Sequence, residues 1–454
     1  MKAPTTFRSR AREALADLTL RQALKKATHT ALLKRHELLG SYDYFQRLRQ
    51  QARAVRLGVI EALDDYLKAF KENALNNGAD VHICRDSHSA NDKVLEILRL
   101  RRAQRIVKAK SMVTEEIGLY QRLKQSGFSI VETDLGEYIV SLAGEKPSHI
   151  TAPAIHKTKS QVGRLFHDAL GAPYSDDPQQ LAAIARKFLR KAFFEAQAGV
   201  TGANFALADT GGIVLFTNEG NGRMCSVLPP IHIAVMTPEK IIPSITDLDV
   251  FMRLLPASAT GQSLTTYLSI ISAEPRPRSV EANGEMHIVI LDNTRSQIAK
   301  TEYKDILTCI RCGACMNVCP VYTSVGGHAY NSTYVGPMGI VLSSLLPGSA
   351  FTNYDITEAC TLCRACDEVC PVAIPISNLI GRLRSERTRK GLNPLFESLG
   401  MRLLGTTFNF SPAYRFSQRL LGILLSAHKS DNQRKDLLQR LPHCASLPFH
   451  KRFQ

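Results

Sequence analysis

Eight of the eleven cysteines in this 454-residue chain fall into two runs of identical spacing. Cys309, Cys312, Cys315 and Cys319 form C-x2-C-x2-C-x3-C, followed by Pro320. Cys360, Cys363, Cys366 and Cys370 repeat the run, followed by Pro371. Three thiolates in steps of three residues let one short loop wrap three corners of an iron–sulfur cubane. The proline stops a helix from continuing, which frees the fourth sulfur to point elsewhere. Zinc also takes four thiolates, but zinc ribbons usually space their CxxC pairs apart, so two full quartets favour iron. Disulfides are disfavoured because Met1–Leu20 has no long apolar stretch of the secretory kind. The remaining Cys84, Cys225 and Cys444 form no framework.

The run is the ligand pattern of bacterial ferredoxins, in which the fourth cysteine of each quartet ligates the other cluster. By that rule one [4Fe–4S] cluster takes Cys309, Cys312, Cys315 and Cys370, and the other takes Cys360, Cys363, Cys366 and Cys319. Gly313, Ala314 and Ala365 are small enough to let backbone N–H groups approach the sulfurs. Arg311 and Arg364 are expected to raise the cluster potentials electrostatically. No flavin or NAD site is evident: Gly220-Asn221-Gly222-Arg223-Met224-Cys225 lacks the third glycine of a dinucleotide fingerprint, and there is no P-loop.

The elements that must hold these loops change character along the chain. Residues 7–75 read as helices, with Leu57, Ile60, Leu63, Leu67 and Phe70 recurring as one apolar stripe. Strand and helix signals then alternate from about 94 to 295. Asn91–Leu100 reads as a helix, and Thr114 with Glu115 and Glu116 opens another that Gly127 closes. Arg105–Lys110, Phe128–Glu132, Gly212–Phe216, His232–Met236 and His287–Leu291 read as strands. The last three are short and rich in Val and Ile, as strands buried on both faces should be. The alternation predicts an α/β domain with a largely parallel sheet. The expected division is a basic helical segment (1–75), an α/β domain (76–300), a mostly α-helical two-cluster domain (301–390) and a basic C-terminal extension (391–454).

The charge supports that division. The chain carries +16, with 13 basic and 4 acidic side chains in residues 1–60 and 14 against 4 in residues 381–454. The middle is mildly acidic, which argues against a nucleic-acid enzyme with a basic groove through its main domain. The basic ends read either as solvated helical faces or as docking surfaces for an acidic redox partner or a peripheral membrane contact. No apolar stretch approaches the roughly 18 residues of a membrane helix, so a cytoplasmic location is expected.

The middle segment contains Gly202-Ala203-Asn204-Phe205-Ala206-Leu207-Ala208-Asp209-Thr210-Gly211-Gly212, then Phe216–Arg223 and Leu228–Ile233. Earlier come Glu132–Glu137 and Pro147–Ile150, and later Ser258–Gln262. Together these strings resemble the LUD domain. With two ferredoxin quartets behind it, the chain resembles the lactate-utilisation protein B family. The resemblance implies a sheet of the CoA-transferase and sugar-phosphate-isomerase kind. It also implies an iron–sulfur electron-transfer subunit in a multi-protein system that oxidises L-lactate to pyruvate. Its partners would be an iron–sulfur protein with CCG-type cysteine motifs and a shorter LUD protein; this chain has no CCG motif itself.

For the α/β domain, the residues themselves suggest a carboxylate site. Gly211, Gly212, Gly220 and Gly222 lie at strand edges where N–H groups could hold an anion, and Arg223 could pair with it. Glu219 and His232 are candidate proton-transfer groups, because oxidising a hydroxy acid releases two protons with two electrons. The plainer reading makes the glycines turn residues, His232 a satisfied strand histidine, and Asp209 and Thr210 a turn cap. Two other functions stand beside electron transfer: a metabolite-binding, redox-sensing scaffold, and an iron–sulfur subunit for glycolate or glycerol-3-phosphate oxidation.

Overall fold

The computed structural model describes residues 6–39, 42–274, 284–347, 355–393 and 395–410, with 412, 414, 416 and 417. Cys444 and most of the 391–454 extension lie outside the described residues. Residues 1–385 form one compact unit and residues 386–454 a second.

Four helices open the chain: Phe7–Ala16, Leu18–Leu38, Tyr42–Glu61 and Leu63–Asn76. The first two start at side-chain caps, Thr6 accepting from the Ser9 N–H and Asp17 from the Leu20 N–H. The apolar stripe from Leu57 to Phe70 runs across a break at Ala62, so it belongs to two helices and not one. Ten strands follow among the described residues: β1 (Asp80–Cys84), β2 (Arg105–Lys108), β3 (Ser129–Glu132), β4 (Ala198–Thr201), β5 (Phe205–Leu207), β6 (Ile213–Thr217), β7 (Ile231–Met236), β8 (Ile241–Ile242), β9 (Tyr267–Ile271) and β10 (Glu285–Leu291).

Six of them make an all-parallel sheet in the order β1-β10-β7-β4-β2-β3. Its inner strands β4, β7 and β10 are buried on both faces, and alternate residues enter different cores. In β10, Ile288 and Ile290 join the core shared with the N-terminal helices and the cysteine region. Val289 and Leu291 join the core under the helix Ser87–Leu100. The expected parallel α/β domain, with a helical segment before it and a mostly helical cysteine region after it, is the fold observed.

Gly212–Phe216 is placed differently from expectation. It is β6, in a separate sheet of order β8-β5-β6-β9, antiparallel to both β5 and β9. The cause is local: Asp209, Thr210 and Gly211 turn the chain tightly between β5 and β6, and a connection that short can join only antiparallel strands. The predicted helix from Thr114 to Gly127 is two helices, Met112–Glu116 and Leu119–Gln125, parted at Gly118, whose φ is +63°.

The register brings the carboxyl ends of the parallel strands to one edge. Lys108 pairs with both Glu132 and Val200, Thr201 with Ala234, and Met236 with Ile290. The loops leaving this edge carry the charged residues that meet the cysteine loops.

Candidate iron–sulfur site and its charged surroundings

The two cysteine loops are conformational copies. Arg311 and Leu362, each two residues after the first cysteine of its run, have φ of +60° and +56°. Gly313 and Arg364, two residues further on, have +80° and +67°. In both loops the N–H at the first of these positions points at the first sulfur: Arg311 N lies 3.4 Å from Cys309 Sγ and Leu362 N lies 3.3 Å from Cys360 Sγ. The fourth cysteines are likewise approached, Cys319 by Tyr322 N at 3.5 Å and Cys370 by Ile374 N at 3.4 Å. Glycine suits the left-handed position 313, where a Cβ would come within 3.4 Å of both Met316 and His149.

Each fourth cysteine sits with the other run. One cavity is lined by Cys309, Cys312, Cys315 and Cys370 together with Ile150 and Met338. Burial, and then the neighbouring thiols Cys309 and Cys370, push the Cys312 and Cys315 thiols well up. Cys319 instead feels Cys360 and Cys363, and Cys366 feels Cys360 and Cys319. Four thiols around an otherwise apolar hollow are a donor set that fits one four-thiolate iron–sulfur cluster. The first set is buried or half-buried; in the second, Cys363 is exposed.

Five of the nine arginines in residues 1–60 are turned inward. Arg49 Nε donates to the Cys370 carbonyl at 2.8 Å, Arg35 Nη2 to Val369 O at 3.1 Å and Arg53 Nη1 to Ala373 O at 2.8 Å. Arg10 Nε donates to Ala329 O at 2.8 Å. Arg56, fully buried, donates to Thr308 O (3.2 Å), Leu307 O (3.0 Å) and Ile241 O (3.1 Å), and also reaches the Glu239 carbonyl. These side chains tie the cysteine loops to the rest of the unit. They are neither solvated faces nor free to dock a partner, which corrects both readings of this part of the N-terminal charge.

A buried ionic network joins the sheet's carboxyl edge to the first cysteine loop. Arg295, after β10, donates to Glu116 at 2.6 and 3.0 Å and to Glu239 at 3.0 Å. Arg311 Nη2 donates to the same Glu239 oxygen at 3.3 Å, and its guanidinium lies 5.1 Å over the Tyr334 ring. Tyr334 Oη donates to Glu116 at 2.7 Å. Burial works to raise Glu239, but Arg295, Arg311 and Lys240 outweigh it and hold the carboxyl below its ordinary range. Lys240 is pushed down to about 7, by burial first and then by Arg311. The little-exposed side chains of Arg56, Arg295 and Arg311 thus outnumber the carboxylates of Glu239 and Glu116, an excess that an anionic thiolate-bound cluster would balance. Arg311 therefore sits where expected. Arg364 does not: its side chain is 71% exposed, 3.8 Å from Asp367.

A second buried cluster lies at the ends of β2 and β3. Lys108 Nζ, fully buried, is 3.1 Å from Glu115, 2.9 Å from Glu132 and 3.4 Å from Glu137. The three carboxylates bring oxygens within 4.8 Å of one another, a spacing suited to a metal ion, but the Lys108 ammonium already lies among them. Burial, despite Lys108, pushes Glu132 and Glu137 up, because three carboxylates around one ammonium resist full ionisation.

The suggested carboxylate site is not assembled. Glu219 lies at the carboxyl edge, where it accepts from Leu135 N at 3.1 Å, and burial with Asp134 raises its pKa. His232 is near the opposite end of β7, paired in register with Gly199, its Nε2 2.8 Å from Thr201 Oγ1. Arg223 is exposed. Gly211 is a close-packing residue: a Cβ there would come within 2.2 Å of the Ala74 backbone. Neither buried network was anticipated from sequence. The available signals were a lysine ending a Val-Ile strand at Lys108, the paired Glu115 and Glu116, and an arginine directly after β10.

Comparison with known proteins gives two family matches, the LUD domain over residues 67–291 and the 4Fe-4S dicluster domain over residues 305–374. The Lactate utilization protein B of Bacillus subtilis (strain 168) is 40% identical over 419 residues, covering 91% of this chain and 86% of that one. The Lactate utilization protein B of Bacillus cytotoxicus is 39% identical over 432 residues, 94% and 90% of the two chains. The uncharacterized electron transport protein YkgF of Escherichia coli (strain K12) is 40% identical over 400 residues, 88% and 84%.

Proposed function

We propose a function from one premise, that the chain belongs to the lactate utilization protein B family: it is the iron–sulfur electron-transfer subunit of a cytoplasmic, multi-protein system that oxidises L-lactate to pyruvate. The observation that carries this reading is the grouping of Cys370 with Cys309, Cys312 and Cys315, and of Cys319 with the second run. Two [4Fe–4S] clusters held by those crossed sets would each accept and release one electron, so the pair matches the two electrons of a hydroxy-acid oxidation.

The chain's own residues then have distinct tasks. The cysteines hold the clusters, and crossed ligation fixes the two loops against one another. Arg49, Arg53 and Arg56 clamp the backbone of both loops through carbonyl oxygens, which keeps the thiols in place and water out. Glu132 and Glu137, their pKa values raised by burial, surround Lys108 as candidate proton-accepting groups at the carboxyl edge, where open α/β sheets bind ligands. An iron–sulfur protein with CCG motifs and a shorter LUD protein are the partners that the family reading supplies. Among the described helices none is long and apolar enough to cross a membrane. The exposed N-terminal bases (Arg12, Arg21, Lys25, Lys26, Lys34 and Arg47) and the basic C-terminal extension are the share of the charge excess left to meet an acidic redox partner.

The test is anaerobic addition of L-lactate to the purified multi-protein complex. Stoichiometric reduction of this chain's clusters, followed by paramagnetic resonance, is expected. Clusters that assemble but stay oxidised with L-lactate would overturn the assignment.

A further inference from the structure

We propose that the two cysteine sets hold their clusters at unequal reduction potentials, the buried first set (Cys309, Cys312, Cys315, Cys370) above the surface-facing second set (Cys319, Cys360, Cys363, Cys366). The inference rests on the crossed ligation proposed above. It goes beyond it by naming the side chains that separate the two clusters energetically.

The first set is surrounded by buried and half-buried cations. Arg311 offers its own N–H to Cys309 Sγ at 3.4 Å, and its guanidinium is buried against Tyr334. Arg56 bonds the Leu307 and Thr308 carbonyls that lead into Cys309. Arg35 acts on both Cys312 and Cys370, and Arg49 holds the Cys370 carbonyl. Glu239 is the buried acid among them, and its charge is already shared by Arg295 and Arg311.

The second set has a different balance. Arg384 donates to the carbonyl oxygens of Cys360 and Thr357. Against it stands Asp367, with a carboxylate oxygen 3.5 Å from Cys366 Sγ. Arg364, the sequence counterpart of a position in the first loop, points into solvent. Cys363 and Leu362 are exposed.

Burial alone opposes this ordering, because a low dielectric disfavours the more negative, reduced cluster. The cations outweigh it. At the effective dielectric typical of such sites, a unit charge within roughly 7 Å changes a one-electron equilibrium by more than tenfold, and the backbone of the first set is gripped by Arg49 and Arg56 and carries Arg311 itself. The second set has nearly compensating charges that water also screens.

A redox titration of the anaerobic holoprotein, followed by paramagnetic resonance, tests this. Two one-electron transitions are expected. Arg311→Gln should lower the upper one by at least tenfold in its equilibrium constant, about 59 mV, and leave the lower one in place. Asp367→Asn should raise only the lower. If Arg311→Gln does not take up iron, Glu239→Gln gives the opposite shift of the same upper transition. Coincident transitions, an upper transition that follows Asp367→Asn, or first-loop variants that leave both transitions in place would overturn the ordering. Absence of any cluster signal would instead overturn the ligation on which it stands, so the two failures are told apart.

Discussion

Replacing Arg56 by Met should be among the most destabilising single changes available outside the cysteines. The guanidinium is fully buried and carries hydrogen bonds to Thr308 O at 3.2 Å, Leu307 O at 3.0 Å and Ile241 O at 3.1 Å, besides the Glu239 carbonyl. One side chain of the third N-terminal helix thus holds the edge of the second sheet and the strand of backbone entering Cys309. A hydrogen bond to a charged group contributes roughly 1.5–3 kcal/mol net. Removing the buried cation returns its own desolvation cost, so the contributions do not simply add. Breaking a buried charged network from one side costs about 3–5 kcal/mol, and we expect a loss near the middle of that range. Set against a typical total of roughly 5–15 kcal/mol, this is a large fraction. Arg56→Lys retains the charge but loses the planar fork, and should lose about half as much. Urea unfolding of wild type and both variants gives the numbers, and iron content after anaerobic reconstitution shows whether the loop entering Cys309 is still seated. A loss below about 1 kcal/mol for Arg56→Met, with full iron retention, would refute the clamp.

Three further expectations follow from the same geometry. Cys319→Ser should damage the cluster seated by Cys360, Cys363 and Cys366 while the Cys309–Cys315 signal survives, read by paramagnetic resonance and iron analysis; the reverse loss would contradict crossed ligation. Lys108→Met should cost about 3–5 kcal/mol near neutral pH, because the buried Glu132 and Glu137 and the half-buried Glu115 lose their one ammonium. Glu132 and Glu137 bind protons more tightly folded than unfolded, so acidification from pH 7 toward 5 should recover part of that variant's stability in a denaturation series. His232 shows the opposite sign: burial lowers its pKa to about 4, so the folded state binds fewer protons than the unfolded chain between about 4 and 6.5. Stability should fall as pH drops through that window, by about 2 kcal/mol at pH 5 from this group, and His232→Gln should flatten the profile.

What was legible in the sequence had short-range causes. The cysteine spacing and its terminal prolines are local features, and they dictated two matching loops that the backbone reproduces, down to the left-handed residues at 311 and 362. Runs such as His232–Met236 and His287–Leu291 announced buried parallel strands because both faces are covered. Where the cause was long-range, local reading failed. β1, with Asp80 and His82, looks polar because it is an edge strand, and β4 (Ala-Gly-Val-Thr) is too small to show a pattern. Gly212–Phe216 had the composition of a sheet-core strand, and only the turn before it sent it to the second sheet. Charge misled most. The N-terminal arginines have the sequence look of a solvated or docking surface, yet Arg35, Arg49, Arg53 and Arg56 find carbonyl oxygens more than 180 residues away. Glu219 and His232 were chosen for chemistry that each can do alone, but the sheet places them toward opposite ends.

The most direct measurement of the central claim is iron and acid-labile sulfide analysis of anaerobically isolated protein, with zinc determined on the same sample. Two four-iron clusters on eight thiolates predict about eight irons and eight sulfides per chain, with negligible zinc. Colourless protein holding zinc, or about four irons per chain with four free thiols, would contradict the account.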